Sequence, residues 1–263
     1  MLDAGARTAL AATRFSDVRW FPELDSTNRY LLQEARSGAS EGLVAVADHQ
    51  SAGRGRLGRV WVAPPGASLL LSVLFRPRLD PERLHLVTAA VALAAADACR
   101  DEAGVAADLK WPNDLMADGR KLAGVLAEAD LAGGSDRATA VVVGIGINVN
   151  WPEPLPEELA SIAVSLNRLA GRTVDRAALL VGLLRSLDRR YTSLGEDGGR
   201  QVAAEYRARC ATVGQLVRVE LADETFTGRA MDVSDEGHLL VDVGACTRTV
   251  SAGDVVHLRP QGG

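Results

Sequence analysis

An α+β body followed by a small all-β domain is the architecture this sequence predicts, and three observations carry it. The run AVVVGIGINV (140–149) is almost wholly apolar and β-branched, as a central strand buried on both faces would be. An Ala-rich stretch over 82–103, stopped by Gly104, reads as one long helix with a glycine C-cap. From about Thr212, LVRVELA, TFTGRAMDV, HLLVDV, TRTVS and VVHLR are short strands separated by Asp-, Glu- and Gly-bearing turns.

The remaining elements follow in order. Asp25 or Ser26 caps a helix over 27–36, with Tyr30, Leu31 and Ala35 on one face and Gly38 ending it. LVAVAD (43–48) reads as a strand before the loop HQSAGRGRLGR, and SLLLSVLF (68–75) as a buried strand bounded by Pro64, Pro65 and Pro77. Short strands at 106–110 and 113–117, an Asp118-Gly119 turn and a strand over 121–130 come next. Pro152, Pro154 and Pro156 stiffen the connection to helical patterns over 157–170, 175–194 and 198–209. The five closing strands point to a small barrel or SH3-like domain, so the chain divides into 1–210 and 211–263.

Composition narrows the function. The 263 residues are 47% apolar and 24% charged, enough for a full core and unlike a disordered chain. No apolar run reaches the roughly 18 residues of a membrane span, and Asp3, Arg7 and Arg14 spoil the N-terminus as a signal peptide. A net charge of −5 argues against a broadly basic nucleic-acid surface. Cys99, Cys210 and Cys246 are odd in number and widely spaced, which suits reduced thiols in the cytoplasm better than disulfides or zinc. Aromatics are only 4% of the chain, yet Trp61, Trp111 and Trp151 all adjoin Gly-, Pro- or Asn-rich segments.

The sharpest motif is Gly53-Arg54-Gly55-Arg56-Leu57-Gly58. It spells GxGxxG, but a dinucleotide loop must open a helix, and Pro64-Pro65 follows instead. Two arginines among glycines read as an anion clamp, or else as an ordinary exposed loop. Lys110-Trp111-Pro112-Asn113-Asp114 places a lysine at a strand end, in reach of a ligand or simply solvated. Asn113 and Asp114 also suit a plain turn. Lys121 begins a strand; Gly144 and Gly146 interrupt another, for a close ligand or for close helix packing. Asp25-Ser26-Thr27-Asn28 holds more polar groups than one helix cap needs. P-loop, HExxH and GxSxG patterns are absent, and the four histidines lack metal-ligand spacing.

Taken in order, DSTN, HQSAGRGRLGRVW, GASLLLSV, KWPNDL, GRKLAGVL and GIGINVN resemble the successive signatures of the biotin protein ligases. The resemblance is strong over about residues 23–151 and weaker beyond. It implies a central mixed sheet with helices on one face, an SH3-like C-terminal domain, and ATP-dependent attachment of biotin to a lysine of a biotin carboxyl carrier domain, as in acetyl-CoA carboxylase. Regulatory members carry an N-terminal DNA-binding domain; 25 residues before Ser26 are too few for one, so the expectation is a monofunctional ligase with no DNA or membrane partner. Lipoate ligases share the catalytic fold but differ in the glycine loop, and a non-catalytic biotin sensor would have no use for Arg54, Arg56 and Lys110.

The resemblance also implies roles. Arg54, Arg56 and Lys110 would stabilise charge where the biotin carboxylate meets the α-phosphate of ATP, with Mg2+ accompanying the nucleotide rather than held at a fixed protein site. Ser26, Thr27, Asn28 and Gln50 would line the biotin end, with Gly53, Gly55, Gly144 and Gly146 allowing close approach. Trp61 and Asn148 match positions near adenine, and Lys121 a further phosphate contact. A reactive anhydride needs shielding from water, so segment 50–60 is expected to order over the ligands. Limited proteolysis checks this: biotin plus ATP should protect the segment, and equal cleavage with and without them would refute closure.

Overall fold

The computed structural model describes residues 2–130, 140–152, 154–155, 157–251 and 253–258. Its main sheet has seven strands: β1 (Val18–Leu24), β2 (Val44–Gln50), β3 (Ser68–Phe75), β4 (Asp108–Lys110), β5 (Asp114–Ala117), β6 (Arg120–Asp130) and β7 (Ala140–Asn148). They lie in the order β1-β2-β3-β7-β6-β5-β4. Only β1 and β2 pair in parallel, which makes the sheet mixed. β1 is an edge strand, and this accommodates Pro22, which has no N–H for a second neighbour.

Strand alternation sorts the buried residues onto two faces. Leu69, Leu71, Val73 and Phe75 of β3, with Val141, Val143, Ile145 and Ile147 of β7, share one core with α1 (Ala4–Leu10), α3 (His85–Ala103), α6 (Arg176–Asp197) and α7 (Arg200–Ala208). Alanines at 89, 90, 94, 95 and 96 let α3 lie close to its neighbours, and it is apolar nearly all round because it is buried nearly all round. α2 (Thr27–Arg36) lies on the opposite face, where Leu31 and Ala35 meet Ala45, Leu74 and Val142. Helices therefore cover both faces rather than one, and the site occupies the face that α2 covers only in part.

The structure redraws several boundaries. β2 runs on through His49 and Gln50, so Gln50 belongs to a strand end and not to the loop. The helix expected over 157–170 is two short ones, α4 (Glu157–Ala160) and α5 (Leu166–Ala170). Between them the chain extends to pair with β6: Lys121 N donates to Ile162 O (2.8 Å) and Val164 N to Lys121 O (3.0 Å). Gly198 and Gly199, both left-handed, separate α6 from α7. Pro156 and Arg259 lie outside the described residues.

The closing strands are β8 (Leu216–Glu220), β9 (Thr225–Val233), β10 (Leu239–Asp242), β11 (Thr247–Val250) and β12 (Asp254–His257). They form an antiparallel sheet ordered β11-β10-β9-β8-β12, consistent with the SH3-like expectation. Its core of Val217, Val219, Leu239, Val241 and Val250 takes in Trp111 from the main body. The Trp111 indole donates to Gly237 O (2.9 Å), and its backbone N–H to Thr212 Oγ1 (3.0 Å). No described helix is long and apolar enough to cross a membrane.

Buried Asp97 of α3 binds the helical layer together. It pairs with Arg190 and Arg209 (2.9 Å each) and accepts from Ser186 Oγ (3.0 Å). Burial raises its pKa, but Arg209 and Arg190 outweigh that and hold it below the usual carboxylate range. The stabilisation is thus present above about pH 4, the unfolded value, and is lost as the pH falls toward the folded one. Asp97→Ala removes the buried anion between Arg190 and Arg209, which keep Glu205, and should cost about 1–3 kcal/mol in urea unfolding.

Candidate active site

Sequence-distant segments meet in a cavity of about 260 Å³ on the α2 side of the sheet. The start of α2, the end of β2, the loop after it, the β4–β5 turn, β6, β7, the end of β8 and β12 all reach it. Twelve of the fourteen residues expected at a site line the cavity: Ser26, Thr27, Asn28, Gln50, Arg54, Gly55, Arg56, Trp61, Lys110, Lys121, Gly144 and Gly146.

The other two lie just behind the wall. Gly53 is buried where the loop crosses itself; its carbonyl accepts from Trp61 N (3.0 Å), and a Cβ there would meet Trp61 O at 2.4 Å. Asn148 is buried beside β6, with Nδ2 donating to Val164 O (3.1 Å) and Oδ1 unpartnered. The segment after Gly58 is extended rather than helical, which removes the dinucleotide reading of GxGxxG.

One end of the cavity is neutral and polar. Ser26 caps α2, which presents Thr27 and Asn28 from its first turn. Gln50 Oε1 accepts from Thr27 N (2.8 Å) and lies 3.0 Å from Thr27 Oγ1. Ser72 Oγ lies 2.7 Å from Thr27 Oγ1 and 2.6 Å from Asn28 Oδ1. Asn28 Nδ2 donates to Leu126 O (3.2 Å) and Glu128 Oε2 (2.7 Å). The same carboxylate oxygen accepts from Arg54 (3.0 Å).

Gly144 and Gly146 serve side chains of this chain. A Cβ at 144 would stand 2.2 Å from Asn28 Oδ1, and one at 146 would stand 2.6 Å from the Trp61 ring. The glycines thus seat Asn28 and Trp61 flat on the strand, whereas the expectation had the ligand itself in that space. Trp61 also covers Gly124, lies 5.7 Å from Lys121 Nζ, and buries an indole N–H without a partner.

The other end is cationic. Lys121 pairs with Asp114 (2.6 Å), Arg59 with Asp254, and Arg56 donates to Asn113 Oδ1 (3.4 Å) and Gly253 O (3.5 Å). Lys110 has no ion pair among the described residues. Burial lowers its pKa below the ordinary lysine value; Lys121 and Arg59 act in the same direction, against Asp114 and Asp254. Asp114 is therefore more than a turn former. No described group of three or more His, Cys, Asp or Glu could hold a metal.

Sequence reasoning missed Ser72, Gly124, Glu128, Arg59 and Asp254. Ser72 had a readable signal, a lone hydroxyl inside an apolar strand, and Arg59 stands in the same loop as Arg54 and Arg56. Glu128 had only its β6 parity with Gly124 and Leu126, and Asp254 had none.

The mixed sheet thus bears a cavity that is hydrogen-bonding at one end and cationic at the other, with the closing β domain in its wall. Residues 20–148 match the Biotin/lipoate A/B protein ligase family, and residues 212–258 the Biotin protein ligase C terminal domain. A Mycobacterium tuberculosis biotin--[acetyl-CoA-carboxylase] ligase is 43% identical over 240 residues, covering 89% of this chain and 86% of its own. The Bacillus subtilis bifunctional ligase/repressor BirA is 34% identical over 233 residues, covering 88% and 71%. A structure of the Aquifex aeolicus biotin protein ligase in complex with biotin and ATP aligns with TM-score 0.80 at 28% identity, over 94% of this chain and 100% of that one. The chain belongs to the biotin protein ligase family.

The seat of Asn28 can be tested directly. Gly144→Ala forces the amide off the strand and should weaken biotin binding by about tenfold or more, as expected for losing a buried hydrogen-bonding group. Isothermal calorimetry reads the affinity, and circular dichroism checks that the variant is folded.

Proposed function

We propose that this enzyme joins biotin to ATP as biotinyl-5′-AMP and then passes the biotinyl group to one lysine of a biotin carboxyl carrier domain. The observation that carries the reading is the division of a single cavity into a neutral hydrogen-bonding end and a cationic end. A cyclic urea has N–H donors and a carbonyl acceptor that must be paired once they leave water, and Ser26, Thr27, Asn28 and Gln50 offer both kinds of group. A dithiolane would leave those groups unpaired, which disfavours lipoate.

In the first step a biotin carboxylate oxygen attacks the α-phosphorus. The bond from that phosphorus to the bridging oxygen breaks, and pyrophosphate leaves. Carboxylate and phosphate repel, so fixed cations lower the barrier by meeting charge as it concentrates. Arg54, Arg56 and Lys110 take that role here, with Lys121 as a further phosphate contact once it exchanges Asp114 for the nucleotide. Trp61 packs against adenine, and the unpartnered Oδ1 of Asn148 suits an exocyclic amine. Mg2+ bound with the nucleotide would supply charge neutralisation for the departing pyrophosphate, with no fixed protein ligands of its own among the described residues. In the second step a neutral lysine amine attacks the anhydride carbonyl; an amide forms, a proton is lost and AMP departs.

Residues up to about 210 hold biotin and nucleotide, while those from 211 onward contribute Glu220 and Asp254–Val256 to the wall. The natural acceptor is the carrier of acetyl-CoA carboxylase or a related carboxylase, with no DNA or membrane partner. The cytoplasm is the setting, where ATP is abundant and free Cys99, Cys210 and Cys246 stay reduced.

The test is ATP-dependent labelling of a carrier domain with biotin against lipoate. Transfer of biotin alone supports the proposal; lipoate transfer, or biotin binding without adenylate, refutes it. Lys110→Ala should cut adenylation by about tenfold or more in a folded protein, the loss of one charge-assisted contact. Because Lys110 must be protonated, kcat/KM should fall with rising pH below the ordinary lysine range, and Lys110→Arg should abolish that alkaline limb. A limb unchanged in Lys110→Arg would remove Lys110 from the role.

A further inference from the structure

The hydrogen-bond chain beneath the cavity ends on a residue that no motif marks. Resting on the ligase reading above, we propose that Glu128 is a positioning residue that sets the orientation of the Asn28 amide and thereby selects a ligand bearing an N–H donor.

An asparagine amide has two N–H donors and an oxygen with two lone pairs, and either end can face a ligand. Here both donors are used: one goes to Glu128 Oε2 at 2.7 Å and the other to Leu126 O at 3.2 Å. The oxygen takes the Ser72 hydroxyl hydrogen at 2.6 Å, because Oδ1 can only accept. One lone pair of Oδ1 is then the amide's remaining capacity. Asn28 therefore offers the cavity an acceptor and no donor.

Ser72 alone cannot enforce this. A hydroxyl donates or accepts: with a flipped amide Ser72 would accept from Nδ2 and turn its hydrogen to Thr27 Oγ1, 2.7 Å away. Leu126 O and the Glu128 carboxylate are acceptors only, and both face Nδ2. A flip would set Oδ1 against a carboxylate at hydrogen-bond distance, which is repulsive. Gly144 leaves room for the oxygen on the strand but discriminates nothing chemically. The charged member of the set is thus Glu128, a half-buried carboxylate on β6.

Glu128 also ties this orientation to the glycine-loop side of the site. Its Oε2 accepts from Arg54 at 3.0 Å, so one oxygen holds both the biotin-end amide and an arginine of the glycine loop. Arg54 keeps four of its five N–H donors for an anion while it remains anchored.

The experiment compares Glu128→Ala and Glu128→Gln with wild type by steady-state biotinylation, titrating biotin and ATP separately, with biotin affinity measured by calorimetry. Glu128→Ala removes the closer, charged acceptor and leaves the amide only the longer bond to Leu126 O, so the KM and Kd for biotin should each rise about tenfold, the scale of one charge-assisted hydrogen bond. The KM for ATP should move less than about threefold, since Arg54 is one of several cations at that end. Glu128→Gln retains an oxygen that can accept from Asn28 and should recover at least half of the lost biotin affinity on a logarithmic scale. An unchanged biotin KM in Glu128→Ala, equal rises in both KM values, or no recovery in Glu128→Gln overturns the proposal. Should Glu128→Ala fail to fold, the glutamine variant decides: biotin affinity within about threefold of wild type with Asn28 still required upholds it, and a fall of tenfold or more overturns it. A wild-type enzyme that binds no biotin would instead refute the ligase reading itself.

Discussion

The site depends on a strip of sheet with no side chains of its own. β7 is buried along its whole length, and its partners β3 and β6 are packed on the face that carries α3. On the other face Gly144, Gly146 and Gly124 leave bare backbone, and Asn28 and Trp61 lie down on it. A single Cβ at either β7 position would push one of them off the strand, because backbone cannot retreat from a strand hydrogen-bonded on both sides. Everything that converges on the cavity is measured from that surface: the first turn of α2, the end of β2 and the loop that delivers Trp61.

The cations above this strip rest in pairs. Lys121 has Asp114, Arg59 has Asp254 and Arg54 has Glu128. These pairs are partly exposed and each contributes little to stability, so a triphosphate can displace the carboxylates at small cost. Lys110 differs, being half-buried without an ion pair among the described residues, and burial lowers its pKa below the ordinary lysine value. The site thus combines exchangeable ion pairs with one lysine that no carboxylate holds.

Much of this was legible beforehand because local chemistry and global fold agreed. SLLLSVLF is a strand at the expected residues, Gly104 caps α3 in the left-handed region, and Asp118-Gly119 turns with both residues at positive φ. What stayed hidden came from tertiary context. β1, with its proline, looks like a loop until an edge position excuses it. The break between α4 and α5 exists because that stretch pairs with Lys121, about forty residues away by chain number and adjacent only in space. The glycines of GIGINVN announced a close approach without saying whose. Glu128 and Asp254 were unreadable because their partners lie on other elements, and a carboxylate on a strand surface is ordinarily solvated.

Trp111 sits next to Lys110 yet belongs to the core of the closing β sheet. Its two anchors, Thr212 Oγ1 and Gly237 O, both lie more than a hundred positions further along the chain. The strand end beside the cavity is therefore held from the closing sheet, and a substitution that loosens that small core would be felt at Lys110 without touching any cavity residue.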